Sequence, residues 1–152
     1  MSDRPGSSVQ SFFLPLVKGL LLVMLSAQPM AVIAATPPQA IELPSWFRET
    51  FLDFREDVRD AAKEGRRLLV YFGQDGCPYC RELMQVNFGD KVLADKTRRH
   101  FHAIAINIWG DREVTWIDGR RMSEKQFAVA LKVQFTPTLL FFDAGGRIVA
   151  RL

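Results

Sequence analysis

The only two cysteines of the chain lie three positions apart, in the segment Cys77-Pro78-Tyr79-Cys80. No other disulfide within the chain is possible. An apolar run from Leu68 to Phe72 precedes the pair, and helix-forming residues from Arg81 to Val86 follow it. A buried strand that leads into two cysteines at the start of a helix is the arrangement expected of a dithiol redox site. The sequence therefore predicts an α/β fold that carries out thiol–disulfide exchange.

Residues 1–35 have the pattern of an export signal. A short polar start is followed by a mostly apolar stretch from Phe12 to Leu25, and small residues near Ala35 suit cleavage after that residue. An uncleaved membrane anchor is the alternative, although Lys18 interrupts the run of about 20 apolar residues that a span requires. Both interpretations predict a periplasmic or other extracytoplasmic protein, in a compartment where disulfides persist.

The rest of the chain is long enough for one small domain and too short for two. Residues 36–44 contain Pro37 and Pro38 and predict a short extended linker, because proline fixes φ and disfavours helix in the residue before it. The folded domain is then residues 45–152. The net charge is +3, and the basic residues occur in short clusters with acidic neighbours. Without a basic stripe or stacking aromatics, a nucleic-acid partner is excluded.

Hydrophobic periodicity predicts the elements of the first half. Apolar residues at three- and four-residue spacing predict an amphipathic helix, which Ser45 caps and Gly65 ends. The apolar residues of this helix are Trp46, Phe47, Phe51, Phe54, Val58 and Ala61. The run before the cysteines predicts a buried central strand. Helices are predicted from the cysteine motif to Val86 and near residues 90–99. The alternating segment Phe101 to Trp109 predicts a strand parallel to the first, in a βαβ unit.

The second half predicts a small insertion, a helix and a strand pair. Residues 111–122 contain an Asp118-Gly119 turn, which predicts a hairpin-like insertion. A capping box that starts at Ser123 predicts a helix through Leu131. Residues 138–142 and 147–152 predict antiparallel strands joined by a glycine-containing turn. A sheet flanked by helices needs cover on both faces. We therefore expect a missing C-terminal helix to leave one face partly bare, through truncation or because a partner covers it.

The motif assigns different roles to its two cysteines. Cys77 is the expected nucleophile, because the start of a helix favours the negative charge of a thiolate. Cys80, one turn later, resolves the mixed disulfide by attacking the sulfur of Cys77. A zinc site is the alternative, but it needs two further ligands, and His100 and His102 are the only histidines. We predict these two as edge or surface residues, and we expect neither a metal nor a cofactor.

Two segments together resemble the signature segments of the thioredoxin superfamily. They are Phe72-Gly73-Gln74-Asp75-Gly76-Cys77-Pro78-Tyr79-Cys80 and Phe135-Thr136-Pro137-Thr138-Leu139-Leu140-Phe141-Phe142. The resemblance covers residues 45–152 and implies a thioredoxin-like fold, with a central mixed sheet flanked by helices. It also implies that the Thr136–Pro137 peptide bond is cis and that the backbone of Thr136 pairs with substrate beside the dithiol. Gly76, Pro78 and Tyr79 complete the implied motif.

Two positions depart from the family pattern. Gly76 stands where a Trp commonly precedes the first cysteine, and Tyr71 stands where a buried Asp is common, so the proton relay assigned to that Asp is not carried over. The export signal, the motif and the segment Ile106 to Asp111 most resemble periplasmic thioredoxins of the SoxW type, associated with bacterial sulfur oxidation. That resemblance implies a reductant of disulfide-bearing partner proteins, recharged through a membrane thiol transporter.

Three other functions are alternatives to a reductant. The Pro-Tyr pair also occurs in glutaredoxins, but the Gly145-Gly146 pair lies in a predicted turn between strands and not at the start of a helix. A disulfide-introducing oxidase of the DsbA kind carries a large helical insertion, and residues 111–122 are too few to supply one. The remaining alternative is a non-catalytic binding module whose dithiol is structural or senses redox state.

Overall fold

The computed structural model describes residues 39–152, so the predicted export signal lies outside the described residues. The elements are, in chain order, α1 (Phe54–Lys63), β1 (Arg67–Gly73), α2 (Pro78–Glu82), a π-helical turn (Leu83–Asn87), α3 (Lys91–His100), β2 (Phe101–Asn107), β3 (Glu113–Thr115), β4 (Arg121–Ser123), α4 (Glu124–Ala130), β5 (Thr138–Phe142) and β6 (Ile148–Arg151). Within the described part of the chain, no helix combines the length and the apolar character that crossing a membrane would take.

A four-stranded mixed sheet in the order β2-β1-β5-β6 forms the centre of the fold. Strand β1 pairs in parallel with β2 and antiparallel with β5, and β5 pairs antiparallel with β6. This confirms the predicted α/β class, the parallel βαβ unit and the terminal strand pair. Because β1 is central and covered on both faces, six of its seven residues are buried. Strand β6 lies at the edge, and all four of its residues are exposed.

Alternate residues of β1 enter two different cores, because successive side chains of a strand point to opposite faces. Leu68, Val70 and Phe72 lie in a cluster with residues of α1 and α4, in which the tilted rings of Phe54 and Phe127 pack with their centroids 4.7 Å apart. The second cluster, on the other face, consists of Leu69, Tyr71, Cys77, Cys80, Met84, Phe88 and Ala103. The dithiol is therefore built into one of the two hydrophobic cores.

The predicted start of the first helix at Ser45 is wrong. Helix α1 begins only after Asp53, whose side chain accepts a hydrogen bond from the backbone N–H of Arg55 at 3.0 Å. The residues before it form no regular helix or strand, and residues 45–47 form a turn and a bend. The N–H of Arg48 donates to the carbonyl oxygen of Ala103 at 2.8 Å, which satisfies an edge group of β2.

Trp46 and Phe47 consequently do not belong to the face of α1. They pack against the second cluster, with Phe88 5.2 Å from the Trp46 ring and 5.8 Å from the Phe47 ring, centroid to centroid. Their spacing is that of a helical stripe, but their packing in the second cluster and the hydrogen bond from Arg48 to β2 outweighed that local pattern. Gly65 does follow the end of α1, with a φ of +67° that suits a glycine.

The predicted hairpin insertion and capping box are both confirmed. Strands β3 and β4 pair antiparallel, and Ser123 and Gln126 exchange the hydrogen bonds of a capping box at the start of α4. Glu124, the first residue of α4, is fully buried. Its Oε1 accepts hydrogen bonds from the N–H of Asn107 at 2.9 Å and from Nη2 of Arg112 at 2.6 Å. One carboxylate therefore ties the insertion and α4 to the end of β2.

Asp57 is a buried acid in the first turn of α1. Its Oδ2 accepts a hydrogen bond from the hydroxyl of Thr50 at 3.3 Å, and Asp53, Glu56 and Asp60 are its acidic neighbours. Burial is the main cause that raises the pKa of Asp57 to about 6, and the acidic neighbours raise it further. The ionised form thus destabilises the folded protein.

Asp57→Asn is expected to stabilise the protein at neutral pH. Because the folded pKa lies above the unfolded one, wild-type stability falls as pH rises from about 4 to about 6 and then stays low. The variant keeps an acceptor for Thr50 and should gain roughly 2 kcal/mol at pH 7.5, with the gain vanishing below pH 4. Urea unfolding at both pH values measures this. Asp111→Asn, at an exposed acid that is not one of the acidic neighbours of Asp57, should show no gain, and an equal gain there would contradict the explanation.

Candidate functional site

The dithiol lies at the carboxyl end of the central strand. β1 ends at Gly73, a short loop follows, and Cys77 is the N-cap of α2. Cys77 and Cys80 form a disulfide, with their Cα atoms 5.2 Å apart. Cys77 retains 5% exposure, whereas Cys80 is 0% exposed. Of the two cysteines, Cys77 is therefore the more exposed.

Hydrogen-bond donors converge on the sulfur of Cys77. The backbone N–H of Cys80 donates to Cys77 Sγ at 3.1 Å, and the hydroxyl of Thr136 lies within donating distance at 3.5 Å. Pro78 occupies the first turn of α2, where its missing N–H costs no hydrogen bond. In the reduced protein the same donors, together with the partial positive charge at the start of α2, would stabilise a thiolate on Cys77.

The proline loop lies directly against the dithiol. The Thr136–Pro137 peptide bond is cis, and the Thr136 carbonyl oxygen lies 3.7 Å from Cys77 Sγ, although the two residues are 59 positions apart in the chain. The hydroxyl of Thr138 donates to the carbonyl of Phe135 at 2.8 Å, which closes the loop before β5. The fold thus brings together the cysteine motif and the proline loop, the two segments that resemble the thioredoxin superfamily.

The predicted linker contacts the loop before Cys77. Gly76 has a φ of +73°, and its N–H donates to the carbonyl oxygen of Gln39 at 2.9 Å. Arg81 in α2 donates to the side-chain oxygen of Gln39 at 3.0 Å, and Ile41 packs against the core cluster that contains the cysteines. No pattern in the sequence predicted this contact, because it joins a polar linker to a distant loop.

Tyr71 occupies the position at which the family commonly has a buried Asp. It is buried on the same sheet face as the cysteines, and its hydroxyl makes no hydrogen bond within residues 39–152. Burial, with a smaller contribution from the charge of Asp75, raises the pKa of Tyr71 to about 12. The phenol is therefore protonated at neutral pH and offers no carboxylate as a proton acceptor.

Three exposed aromatic side chains belong to the segments that form the site. Tyr79 lies in the cysteine motif, Phe135 precedes Thr136, and Trp109 follows β2, and all three are exposed. The sequence predicted a strand that reaches Trp109, but β2 ends at Asn107, so Trp109 lies beyond it. Its indole N–H donates to the side-chain oxygen of Gln74, in the loop before Cys77, at 2.6 Å.

The histidines lie apart from the cysteines. His100 is exposed at the end of α3. His102 lies on the edge strand β2, as predicted, but it is buried, and its Nε2 is 2.9 Å from Oε2 of Glu64. Within residues 39–152, no three side chains of His, Cys, Asp or Glu are grouped so that they could hold a metal ion.

Comparisons with known proteins agree with this geometry. The model of a family described as thioredoxin-like domain matches residues 54–152. A putative disulphide-isomerase from Bacteroides thetaiotaomicron is 29% identical, with a TM-score of 0.55 over 75% of this chain and 82% of that one.

Two further solved structures show the fold. A disulphide isomerase from Xylella fastidiosa is 16% identical, with a TM-score of 0.53 over 74% of this chain and 80% of that one. A thioredoxin from Thermus thermophilus is 24% identical, with a TM-score of 0.50 over 66% and 71%. A comparison with curated proteins found no match. Because the family model matches well over half of the sequence, the chain belongs to the thioredoxin-like family.

Proposed function

We propose that this protein is a thiol–disulfide oxidoreductase that reduces disulfides of partner proteins. The observation that carries the proposal is the Cys77–Cys80 disulfide at the start of α2, with Cys77 Sγ in contact with Thr136 of the proline loop. The name of the Bacteroides relative, a putative disulphide-isomerase, supports the same class of chemistry.

The reaction runs in two exchanges. In the first, the thiolate of reduced Cys77 attacks one sulfur of the partner disulfide, forms a mixed disulfide and releases the partner's other sulfur as a thiolate, which takes up a proton. In the second, Cys80 loses its proton and attacks Cys77 Sγ, which releases the second partner thiolate. The partner gains two electrons, and the protein is left with the Cys77–Cys80 disulfide.

The neighbours of Cys77 fit these steps. The Cys80 N–H and the Thr136 hydroxyl stabilise the attacking thiolate. The exposed Tyr79 and the backbone at Thr136 and Pro137 form the surface against which a partner polypeptide lies. Gly76 leaves space beside the cysteine, where the family commonly has an indole ring. The buried Cys80 is reached only by the sulfur of Cys77, which restricts it to the resolving step.

The finer proposal is a periplasmic reductant similar to the SoxW type, recharged through a membrane thiol transporter. Its support is the export-signal pattern of residues 1–35 and the segment Ile106 to Asp111 beside the site. The proposal does not include a glutaredoxin role, because Gly145 and Gly146 lie in the turn between β5 and β6 and not at the start of a helix. It also leaves out a DsbA-like oxidase, because the insertion consists of two three-residue strands and their connections.

The reduction potential of the Cys77–Cys80 pair tests the proposal. The purified protein is equilibrated against defined thiol–disulfide buffers, and its turnover of a protein disulfide is measured in parallel. We expect active turnover and a potential near that of thioredoxin, about −270 mV. A potential near −120 mV would indicate an oxidase that donates its disulfide. Absence of turnover would favour the non-catalytic binding module.

A further inference from the structure

Trp109 is an exposed indole held in one position. It is 65% exposed, yet its side-chain N–H donates to Gln74 at 2.6 Å and its backbone N–H donates to Asn107 Oδ1 at 3.0 Å. The ammonium of Lys125 lies 5.3 Å from the centroid of the ring. A large apolar surface that is exposed and already ordered loses little conformational entropy when a partner covers it.

The position of Trp109 relates it to the dithiol. The carboxyl ends of the parallel strands β1 and β2 meet at one edge of the sheet, where the N–H of Ile108 donates to the carbonyl oxygen of Gly73 at 2.9 Å. Gln74, which holds the indole, belongs to the short loop that ends at Cys77. The indole is therefore hydrogen-bonded to the loop that leads to the proposed nucleophile.

The occupant of this surface follows from the proposed chemistry. A partner disulfide must bring its sulfur to Cys77 beside the proline loop, so the residues that flank the partner's cysteine pass over the adjoining surface. Fixed, exposed Trp side chains that a partner desolvates are the residues that contribute most to protein–protein binding. A small disulfide has no flanking residues and would not extend to the indole.

We propose that Trp109 is a specificity-determining docking residue, which contacts an apolar side chain next to the cysteine of a polypeptide disulfide substrate. This inference rests on the proposed function. It assigns to Trp109 the selection of substrate, and it assigns to Gln74 and Lys125 the positioning of the indole. The chemical step at Cys77 is unaffected by it.

The test uses the full chain and three disulfide probes. Two are synthetic peptide disulfides, one with Leu and the other with Ser on both sides of the cysteine, and the third is bis(2-hydroxyethyl) disulfide. Wild type should reduce the Leu peptide with a higher kcat/KM than the Ser peptide. Trp109→Ala should lower kcat/KM for the Leu peptide about tenfold, remove the preference and leave the small disulfide within about twofold.

Phe51→Ala provides the matched control, because Phe51 is 97% exposed and lines a depression among acidic residues of the α1 region, not the active-site loop. It should leave all three rates unchanged. An unchanged Leu preference in Trp109→Ala, or an equal loss for all three probes, would overturn the docking role while wild-type turnover upholds the proposed function. If wild type reduces none of the probes, the proposed function fails, and the docking role fails with it.

Discussion

Cys77→Ser is expected to lower the turnover of protein disulfides by at least about a thousandfold, to the background rate. A serine hydroxyl stays protonated at neutral pH and cannot form a mixed disulfide, so the variant lacks the nucleophile at this position. The buried Cys80 does not compensate, because its exposure is 0%. Turnover of insulin or of a peptide disulfide, with wild type in parallel, measures the loss.

Cys80→Ser should have a different outcome. The nucleophile remains, but the sulfur that attacks Cys77 Sγ is missing, so the first exchange occurs and the mixed disulfide accumulates. A covalent adduct should appear in non-reducing electrophoresis and disappear on addition of a dithiol. Turnover at the wild-type rate in both single variants would show that the assigned roles are wrong. Adduct formation by Cys77→Ser in place of Cys80→Ser would show that they are reversed.

Arg112→Met is expected to destabilise the folded protein by about 3 kcal/mol. The side chain of Glu124 is 2% exposed, and Arg112 Nη2 donates to its Oε1 at 2.6 Å. Methionine keeps much of the apolar stem, but within residues 39–152 it leaves the buried carboxylate with the N–H of Asn107 as its remaining hydrogen-bond donor. The free energy of unfolding in urea measures the effect.

Two further variants separate this explanation from a general effect of surface charge. Glu124→Gln in the Arg112→Met background removes the buried charge and should recover more than half of the lost stability. Arg121→Met breaks an ion pair with Glu113 at 3.5 Å in which both side chains are exposed, so it should cost less than about 0.5 kcal/mol. Equal destabilisation by Arg121→Met and Arg112→Met would contradict a role for burial.

Local sequence patterns determined most of the elements. The apolar run before the cysteines predicted β1, because a strand covered on both faces needs apolar residues throughout. The predictions of a capping box at Ser123 and of a turn at Asp118-Gly119 were also correct, because both features are local. Each depends on residues within four positions of one another, and their hydrogen-bonding and conformational preferences act at that range. The two cysteines were equally evident, because the spacing that identifies them lies within one helical turn.

The tertiary structure decided which segments that are distant in the chain contact one another. Trp46 and Phe47 had helical spacing, yet the N–H of Arg48, the next residue, donates to Ala103 on the edge strand β2. The unsatisfied groups of a sheet edge offer hydrogen bonds that a local pattern does not reveal. The contact of Gln39 with Gly76 and that of Trp109 with Gln74 are side-chain and loop contacts between distant segments.

The candidate site shows both kinds of information. The identity of its sulfur atoms was determined by the sequence itself, and the nearness of Thr136 was implied by resemblance to a family. Its surroundings were not predictable from local pattern: the Gln39 contact, the burial of Tyr71 and the position of the Trp109 indole. Chain topology determines which distant groups meet, and burial then determines which of them remain charged, paired or exposed to a partner.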